Sequence, residues 1–551
     1  MKYIFIIVCL VITSCGVSSK KMLPPDVSAY NVQMPKVVRL SDSLSYYDEN
    51  YLLRNKYGIW EAYLSGNPYQ LGLNSGALTQ KLYHRQDSIF FEKLKTFVPS
   101  AKKQRFIHKF LKWFNRDINE NIIEPYRVEL FGQSKYADTV YNYVAPAYER
   151  SLYLHSAHDI GHALQDLMLV GCSSVAVWGK NSADGKLLIG RNFDFYLSDD
   201  FATEKLIRFV RPSEGIPFVS YSWGGMIGVL SGMNLAGLTV TINAGKSTIP
   251  LKARTPISLL CREILQYAST IEEAVAIARS HKVFVSEAIM IGSAKDGKAI
   301  LIEISPKKID LYEVSNSTSL ICANHFQSKA FQKDKRNQKH IAESHSAYRF
   351  EKIQELLSSN EALTPLKMAT LLRTTEGLNG NNIGYGNEKS LNQLLAHHAI
   401  IFQPEDKLVY TSTHPYQLGE FIAFDLKEIF SNDTKKLYHS HVVDSLVLPK
   451  SDFLSTKDYS DYEKYRLLER KIESNLQQKL ATSTEDLTSV IALNPNYWKG
   501  YYIVGKSYYQ QGDYTEALKY FEIALSKEIP YTKIKKTIQD YARKSKKKQN
   551  Q

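Results

Sequence analysis

The stretch that decides the fold is Gly171-Cys172-Ser173-Ser174-Val175-Ala176-Val177, followed by the turn Asn181-Ser182-Ala183-Asp184-Gly185-Lys186 and then by Gly190-Arg191-Asn192-Phe193-Asp194-Phe195. From Cys172 onward apolar residues recur with a period of two, which predicts two short strands joined as a hairpin. If these strands pair, Cys172 at the start of the first lies close to the far end of the second, so that Arg191 or Asp194 reaches it. Alternation sends Phe193 and Phe195 into the core while a polar neighbour faces a cleft. A guanidinium beside the sulfur favours thiolate over thiol.

A cysteine at a chain start carries both parts of a nucleophilic pair: the sulfur attacks, and the free α-amine, with a reference pKa near 7.7–8.0, shuttles the proton. No separate catalytic histidine is then needed. Internal Cys172 gains such an amine only when the bond to Gly171 is broken, and glycine puts the least bulk there. The same thiol can attack the Gly171 carbonyl itself. Asp194 is placed to orient the amine by accepting its hydrogen bonds.

Outward from this hairpin the chain reads as strands and helices in runs. Further strands are expected in IRFVR, FVSYSW, IGVLSGM and GLTVTIN, then helices in ISLLCREILQYA and after Thr270, whose Thr-Ile-Glu-Glu marks a capped start. EAIMIGSA and KAILIEIS are split by the turn KDG, YRFEKIQELLSS and TPLKMATLLRT are helical, and HAIIFQPEDKLVYTST is a second hairpin. Upstream, FFEKLKTFV, FIHKFLKWFNRDI and GHALQDLMLV have helical spacing. Runs of this kind predict α+β layers.

The segments GCSSVAVW and GRNFDF resemble the start of the N-terminal nucleophile hydrolases of the isopenicillin N acyltransferase, choloylglycine hydrolase and acid ceramidase-like kind, over about Gly171 to Leu426. That resemblance implies a four-layer αββα sandwich preceded by a helical pro-region. It implies Cys172 as nucleophile with Arg191 and Asp194 beside it. GMNLAGLTVTIN resembles the family's N-x-x-G-L segment and puts Asn243 near the nucleophile; ANHF implies Asn324 as oxyanion donor, and SAYRF gives Arg349. Asn234 reads as a turn residue. The implied chemistry is hydrolysis or transfer of the acyl group of a linear amide, such as an N-acyl amino acid, a bile-acid conjugate or a fatty amide, with no cofactor. Tyr196, Phe201, Phe209, Phe218, Tyr221 and Trp223 favour an apolar acyl group.

The ends carry other signals. Lys2, the apolar run YIFIIVCLVI and Ile12-Thr13-Ser14-Cys15 resemble the signal and lipobox of bacterial lipoproteins, so Cys15 is expected to be lipidated and to hold the protein on a membrane of the cell envelope. Each buried methylene of such an anchor contributes roughly 0.8 kcal/mol. Near the other end Gly505, Tyr508, Ala517, Phe521 and Ala524 are spaced like a tetratricopeptide repeat, a small helical module that packs on the catalytic domain or docks a protein partner. These readings divide the chain into a signal peptide (1–14), a tether and irregular segment (15–88), a helical pro-region (89–171), the catalytic domain (172–428), a linker (429–465) and the repeat module (466–545).

Of five cysteines, Cys9 and Cys15 belong to the signal, and Cys261 and Cys322 read as small core residues, so no disulfide scaffold is expected. The net charge of +13 is spread through mixed sequence and a basic tail with no nucleic-acid-binding motif, so no nucleic-acid partner is expected. His155, His158 and His162 have helical spacing but lack an H-E-x-x-H pair, and no metal site is assigned. His397-His398 opens a strand, which would put the two rings on opposite faces. The competing reading is a catalytically silent envelope lipoprotein that uses the fold and the repeat module to bind a partner.

Overall fold

A computed structural model of the chain describes residues 22–97, 100, 109, 111–163, 169–196, 198–248, 252–358, 361–431 and 438–550. Cys15 and the lipobox lie outside the described residues. Strands β1 (Val38–Ser41), β2 (Leu44–Tyr47), β3 (Asn50–Arg54) and β4 (Trp60–Gly66) come first. Helices α1 (Pro68–Leu78), α2 (Gln80–Phe97), α3 (Glu124–Ser134) and α4 (Ala147–Ala163) follow. The hairpin region holds β5 (Leu169–Val170), β6 (Ser173–Val177), β7 (Leu188–Phe193) and β8 (Phe195–Tyr196).

Next come β9 (Leu206–Pro212), β10 (Phe218–Ser222), β11 (Ser231–Asn234) and β12 (Leu238–Ala244), then α5 (Ile257–Tyr267) and α6 (Ile271–Ser280). They lead to β13 (Glu287–Ser293), β14 (Lys298–Ile304), β15 (Ile309–Tyr312) and β16 (Ser319–Cys322). After α7 (Ser346–Leu357) and α8 (Pro365–Leu372), β17 (His398–Gln403), β18 (Leu408–Ser412) and β19 (Phe421–Asp425) complete the sheets. The C-terminal module is α9 (Lys457–Gln478), α10 (Thr484–Leu493), α11 (Trp498–Gln511), α12 (Tyr514–Leu525) and α13 (Thr532–Gln549).

Two sheets face each other. The larger has eleven strands in the order β1-β2-β3-β4-β9-β10-β11-β12-β13-β14-β15, and the smaller has six, β16-β6-β7-β17-β18-β19. Strand alternation sorts side chains to the two faces of each sheet. On β13, Ala288 and Met290 join Ile189, Leu320, Ile400 and Phe402 in the layer between the sheets. Ile289 and Ile291 point the other way, against Ile257, Leu260 and Ile264 of α5 and Ala274 of α6. On the far side of the small sheet, Ala399 and Ile401 pack with Ile353 of α7 and Met368, Leu371 and Leu372 of α8. The result is the expected αββα stack, in which each sheet buries both faces.

Three expectations need correction. Residues 38–66 of the supposed tether and irregular segment form β1–β4, and β4 pairs in parallel with β9, Trp60 opposite Leu206 through Gly66 opposite Pro212. β1, β2 and β3, of four or five residues, are too short to show periodicity, so their polar members read as loop. Within GHALQDLMLV, Leu169–Val170 is a strand paired with Phe195–Tyr196, not the end of a helix. The supposed linker is bound to the small sheet through bridges Phe421–Leu448 and Phe424–Val442, and the helical module starts at Lys457, earlier than expected.

The module is seated on the sandwich. Leu394 and Leu418 of the sandwich share one core with Tyr462, Tyr465, Tyr497 and Phe521. Gly384, at φ +84, lies so close to the Tyr497 main chain that a Cβ there would meet it at 2.5 Å. Inside the repeat, a Cβ on Gly505 would meet Phe521 at 2.7 Å, which is why this helix pair needs glycine at that position.

Candidate active site

β6 and β7 pair antiparallel, Ser173 opposite Asn192 and Ser174 opposite Arg191, so Cys172 sits just ahead of the first strand and beside the end of the second. Cys172 is 1% exposed. Its Sγ lies 3.7 Å from Arg191 Nη2. Burial pushes the thiol up to about 11, against the downward pull of Arg191 and Arg349. In the continuous chain the sulfur is therefore a buried thiol.

Arg191 spans the two sheets. Nη1 donates to the Leu230 carbonyl at 3.2 Å and to Ser231 Oγ, and Nη2 donates to the Ile242 carbonyl. Its guanidinium lies 4.4 Å over the Phe193 ring. Arg191 and Phe193 thus share a face, as residues two apart on a strand must, and the expectation that Phe193 would face away from the polar side chain is corrected.

Asp194 falls between β7 and β8 and is fully buried. Its main-chain carbonyl accepts the Gly171 N–H at 3.0 Å. Neither carboxylate oxygen accepts a hydrogen bond, and burial raises the group to about 8, opposed by Arg349 and Arg191. A buried acid without a donor is costly unless something supplies one.

Arg349, on the first turn of α7, lies on the other side of Cys172. Nη1 donates to the Cys172 carbonyl and to Ser173 Oγ, both at 2.6 Å, Nη2 donates to Asn324 Oδ1 at 2.5 Å, and Nε donates to His345 Nδ1 at 2.9 Å. Asn324 is fixed further by its N–H to Ser346 Oγ at 2.8 Å and by Nδ2 to the Ala244 carbonyl at 3.0 Å. An amide nitrogen has two hydrogens, so Nδ2 keeps one more to offer.

Asn243 is placed differently. Its Nδ2 donates to the Cys322 and Ala323 carbonyls at 2.9 and 3.1 Å, and its Oδ1 accepts from Ser174 Oγ at 2.9 Å. It ties the large sheet to β16 and β6, and the contacts it makes are to the strands that flank Cys172. Asn234 caps the β11–β12 turn by accepting from the Leu238 N–H at 2.9 Å. Cys261 and Cys322 are buried and in no disulfide.

Gly171 is held from the opposite side. Gln393 Nε2 donates to its carbonyl at 3.4 Å, and a Cβ on Gly171 would meet that nitrogen at 2.3 Å. Nothing in the sequence marks Gln393. His345 lies four residues before Arg349, one helical turn, and that spacing was the readable signal for it.

The His397-His398 expectation is overturned. The two Nδ1 atoms are 2.9 Å apart, and His398 Nε2 is 2.9 Å from Ser231 Oγ, the partner of Arg191. His397 precedes β17, so the strand pleat does not orient it. Both ring nitrogens of His155 are engaged by main chain, at Ser151 O (2.8 Å) and Ile227 N (3.1 Å). Among the described residues no group of three or more His, Cys, Asp or Glu is arranged to hold a metal, and no helix is long and apolar enough to cross a membrane.

Parts of the chain are similar to known proteins. Residues 180–414 match the family described as acyl-coenzyme A:6-aminopenicillanic acid acyl-transferase, a span that begins after Cys172. Residues 498–528 match the tetratricopeptide repeat. An uncharacterized protein of Archaeoglobus fulgidus is 30% identical over 151 residues, 26% of this chain and 25% of its own. Protein dcd1B of Dictyostelium discoideum is 24% identical over 155 residues, 28% of this chain and 31% of its own. The matches thus span less than a third of these relatives.

Among solved structures, the Caenorhabditis elegans ortholog of N-acylethanolamine-hydrolyzing acid amidase is 18% identical, with 42% of this chain and 93% of that chain covered and a TM-score of 0.31. A conjugated bile acid hydrolase from Clostridium perfringens is 13% identical, covering 47% and 93%, with a TM-score of 0.31.

Proposed function

We propose, from the match of residues 180–414 to the acyl-coenzyme A:6-aminopenicillanic acid acyl-transferase family, that this chain is a self-cleaving cysteine amidase or acyltransferase, with Cys172 as nucleophile and a linear amide bearing an apolar acyl group as substrate. The observation that carries the proposal is the buried Asp194 carboxyl with no hydrogen-bond donor, in a pocket that already holds Cys172, Arg191 and Arg349. A new α-ammonium on Cys172 is the donor that this acid lacks.

In the first reaction Cys172 Sγ attacks the Gly171 carbonyl. The bond from Gly171 C to Cys172 N breaks, a thioester forms, and the thiol proton goes to the departing nitrogen. Water then hydrolyses the thioester to a Gly171 carboxylate and a free Cys172 thiol. In the second reaction the sulfur, with Arg191 favouring its thiolate form, attacks the substrate amide. Asn324 Nδ2 offers a hydrogen to the developing oxyanion, a kind of contact whose loss typically lowers the rate about 10²- to 10³-fold. The α-ammonium gives its proton to the leaving amine, and water or an acceptor amine resolves the acyl-thioester.

Cleavage has a second effect. With Cys172 1% exposed in the continuous chain, a substrate reaches the sulfur only once the Gly171 end moves aside. Lipidation of Cys15 and a place in the cell envelope belong to the same proposal, as does a protein partner for the repeat module. Labelling with a clickable fatty acid, lost in Cys15→Ala, checks the anchor.

Intact-mass analysis of the purified chain tests the core of the proposal. A fragment beginning at Cys172 is expected, absent in Cys172→Ala, together with an acyl adduct on that fragment after exposure to N-acyl amides. Active material in which the bond between 171 and 172 is still joined would overturn it.

A further inference from the structure

A hydrogen-bonded line runs from the C-terminal module into the candidate active site. Tyr531, which directly precedes α13, places its hydroxyl 2.7 Å from His345 Nε2, with the two rings edge to face at 4.9 Å. His345 Nδ1 in turn accepts from Arg349 Nε at 2.9 Å, and Arg349 grips the Cys172 carbonyl and Asn324 Oδ1.

The direction of each bond is fixed by chemistry. A guanidinium only donates, so His345 Nδ1 carries no proton. The ring is buried, and burial together with Arg349 drives its pKa well below the usual histidine value, so it is neutral and its one proton sits on Nε2. That N–H donates to the Tyr531 oxygen. The tyrosine oxygen thereby accepts the proton of the tautomer in which His345 holds Arg349.

We infer that Tyr531 is a positioning residue for the catalytic centre, acting through His345 on Arg349, so that the helical module completes the active site of the amidase proposed above. The module is anchored around this point as well: Asn387 Nδ2 donates to the Glu528 carbonyl at 3.0 Å, and Tyr385 and Asn494 exchange hydrogen bonds at 3.1 and 2.8 Å. Removing the hydroxyl leaves the His345 N–H buried without an acceptor. If the proton moves to Nδ1 instead, it meets the Arg349 N–H, and the arginine loses its support.

The test uses the full chain and an N-acyl amide that the wild type turns over. Tyr531→Phe is expected to lower kcat about 10- to 100-fold, the scale of a small misplacement of a catalytic group, with KM held within about twofold. His345→Leu should do the same, and the double variant should lose no more than either single one, because the two act in series. Tyr520→Phe, a module ring stacked on Tyr508, should match wild type. Additive losses, or wild-type kcat in Tyr531→Phe, would overturn the inference.

A second readout is independent of turnover. In the Cys172→Ala background, Tyr531→Phe should speed hydrogen exchange in peptides covering 345–349 and 172–177 while α9–α12 keep their protection; unchanged exchange there also overturns the inference. Absence of both cleavage and turnover in the wild type counts against the amidase reading alone, and the exchange result then decides the role of Tyr531. It decides alone, too, should His345→Leu fail to fold.

Discussion

One methyl group at position 171 separates two outcomes. In the proposed self-cleavage the Gly171 carbonyl is the group that Cys172 attacks, and Gln393 donates to it. Gly171→Ala drives a Cβ to 2.3 Å from Gln393 Nε2 unless one of them shifts. A displacement near 1 Å at a reacting carbonyl costs on the order of 10²-fold, so self-cleavage of Gly171→Ala should slow by about that factor, followed as the Cys172-headed fragment accumulates. Asp194 allows a test of the uncut state. Its folded pKa, about 8, stands above its unfolded value of 3.8, so the stability it contributes is complete below pH 3.8 and lost as pH rises through 8. The slope is on the order of 1.4 kcal/mol per pH unit. Cys172→Ala should therefore lose thermal stability relative to Cys172→Ala/Asp194→Asn between pH 5 and 8; a constant difference between the two would refute the assignment. Arg191, Asp194, Asn324 and Arg349 were readable because each stands in a local pattern, GRNFDF, ANHF or SAYRF. Gln393 and Tyr531 were not, since each meets the site across more than 180 residues of chain.

Where elements meet, the contact at Gly384 is the sharpest. Its φ of +84 suits glycine, and Tyr497 main-chain atoms occupy the space a side chain needs. Gly384→Ala combines left-handed strain with overpacking and should cost about 2–4 kcal/mol, seen as a lowered thermal midpoint with α9–α13 losing exchange protection first. How far elements could be read from sequence depended on length and surroundings. β12, β13 and β14 run seven residues each and are rich in Val, Ile and Leu, enough to stand out as buried strands. β1 and β2 run four, with burial patterns that never alternate, and nothing local distinguishes them from a polar loop. β5 is two residues long and exists because Phe195–Tyr196 pairs with it. IGVLSGM yielded a strand only from Ser231, its first residues being consumed by the approach to the sheet.

At the scale of the whole molecule, the four layers followed from patterning, but the share of the upstream residues in them did not. β4 enters the large sheet through its parallel pairing with β9, a partner nearly 150 residues away, and no window of sequence reports a pairing of that range. The peptide bond proposed for cleavage thus lies between two halves of one continuous sheet. After the cut, four of its eleven strands belong to one polypeptide and seven to the other. Such a product is held by the same ladder that held the single chain, and it should elute as one species until denatured. Its return from denaturant is another matter: reassembly becomes a meeting of two molecules, with a yield that rises with protein concentration, whereas Cys172→Ala should refold in a manner independent of concentration. Dilution refolding of both forms over a tenfold concentration range would show it. Maturation would then make stability depend on protein concentration, and at high dilution the molecule's durability in use is set by how slowly it opens.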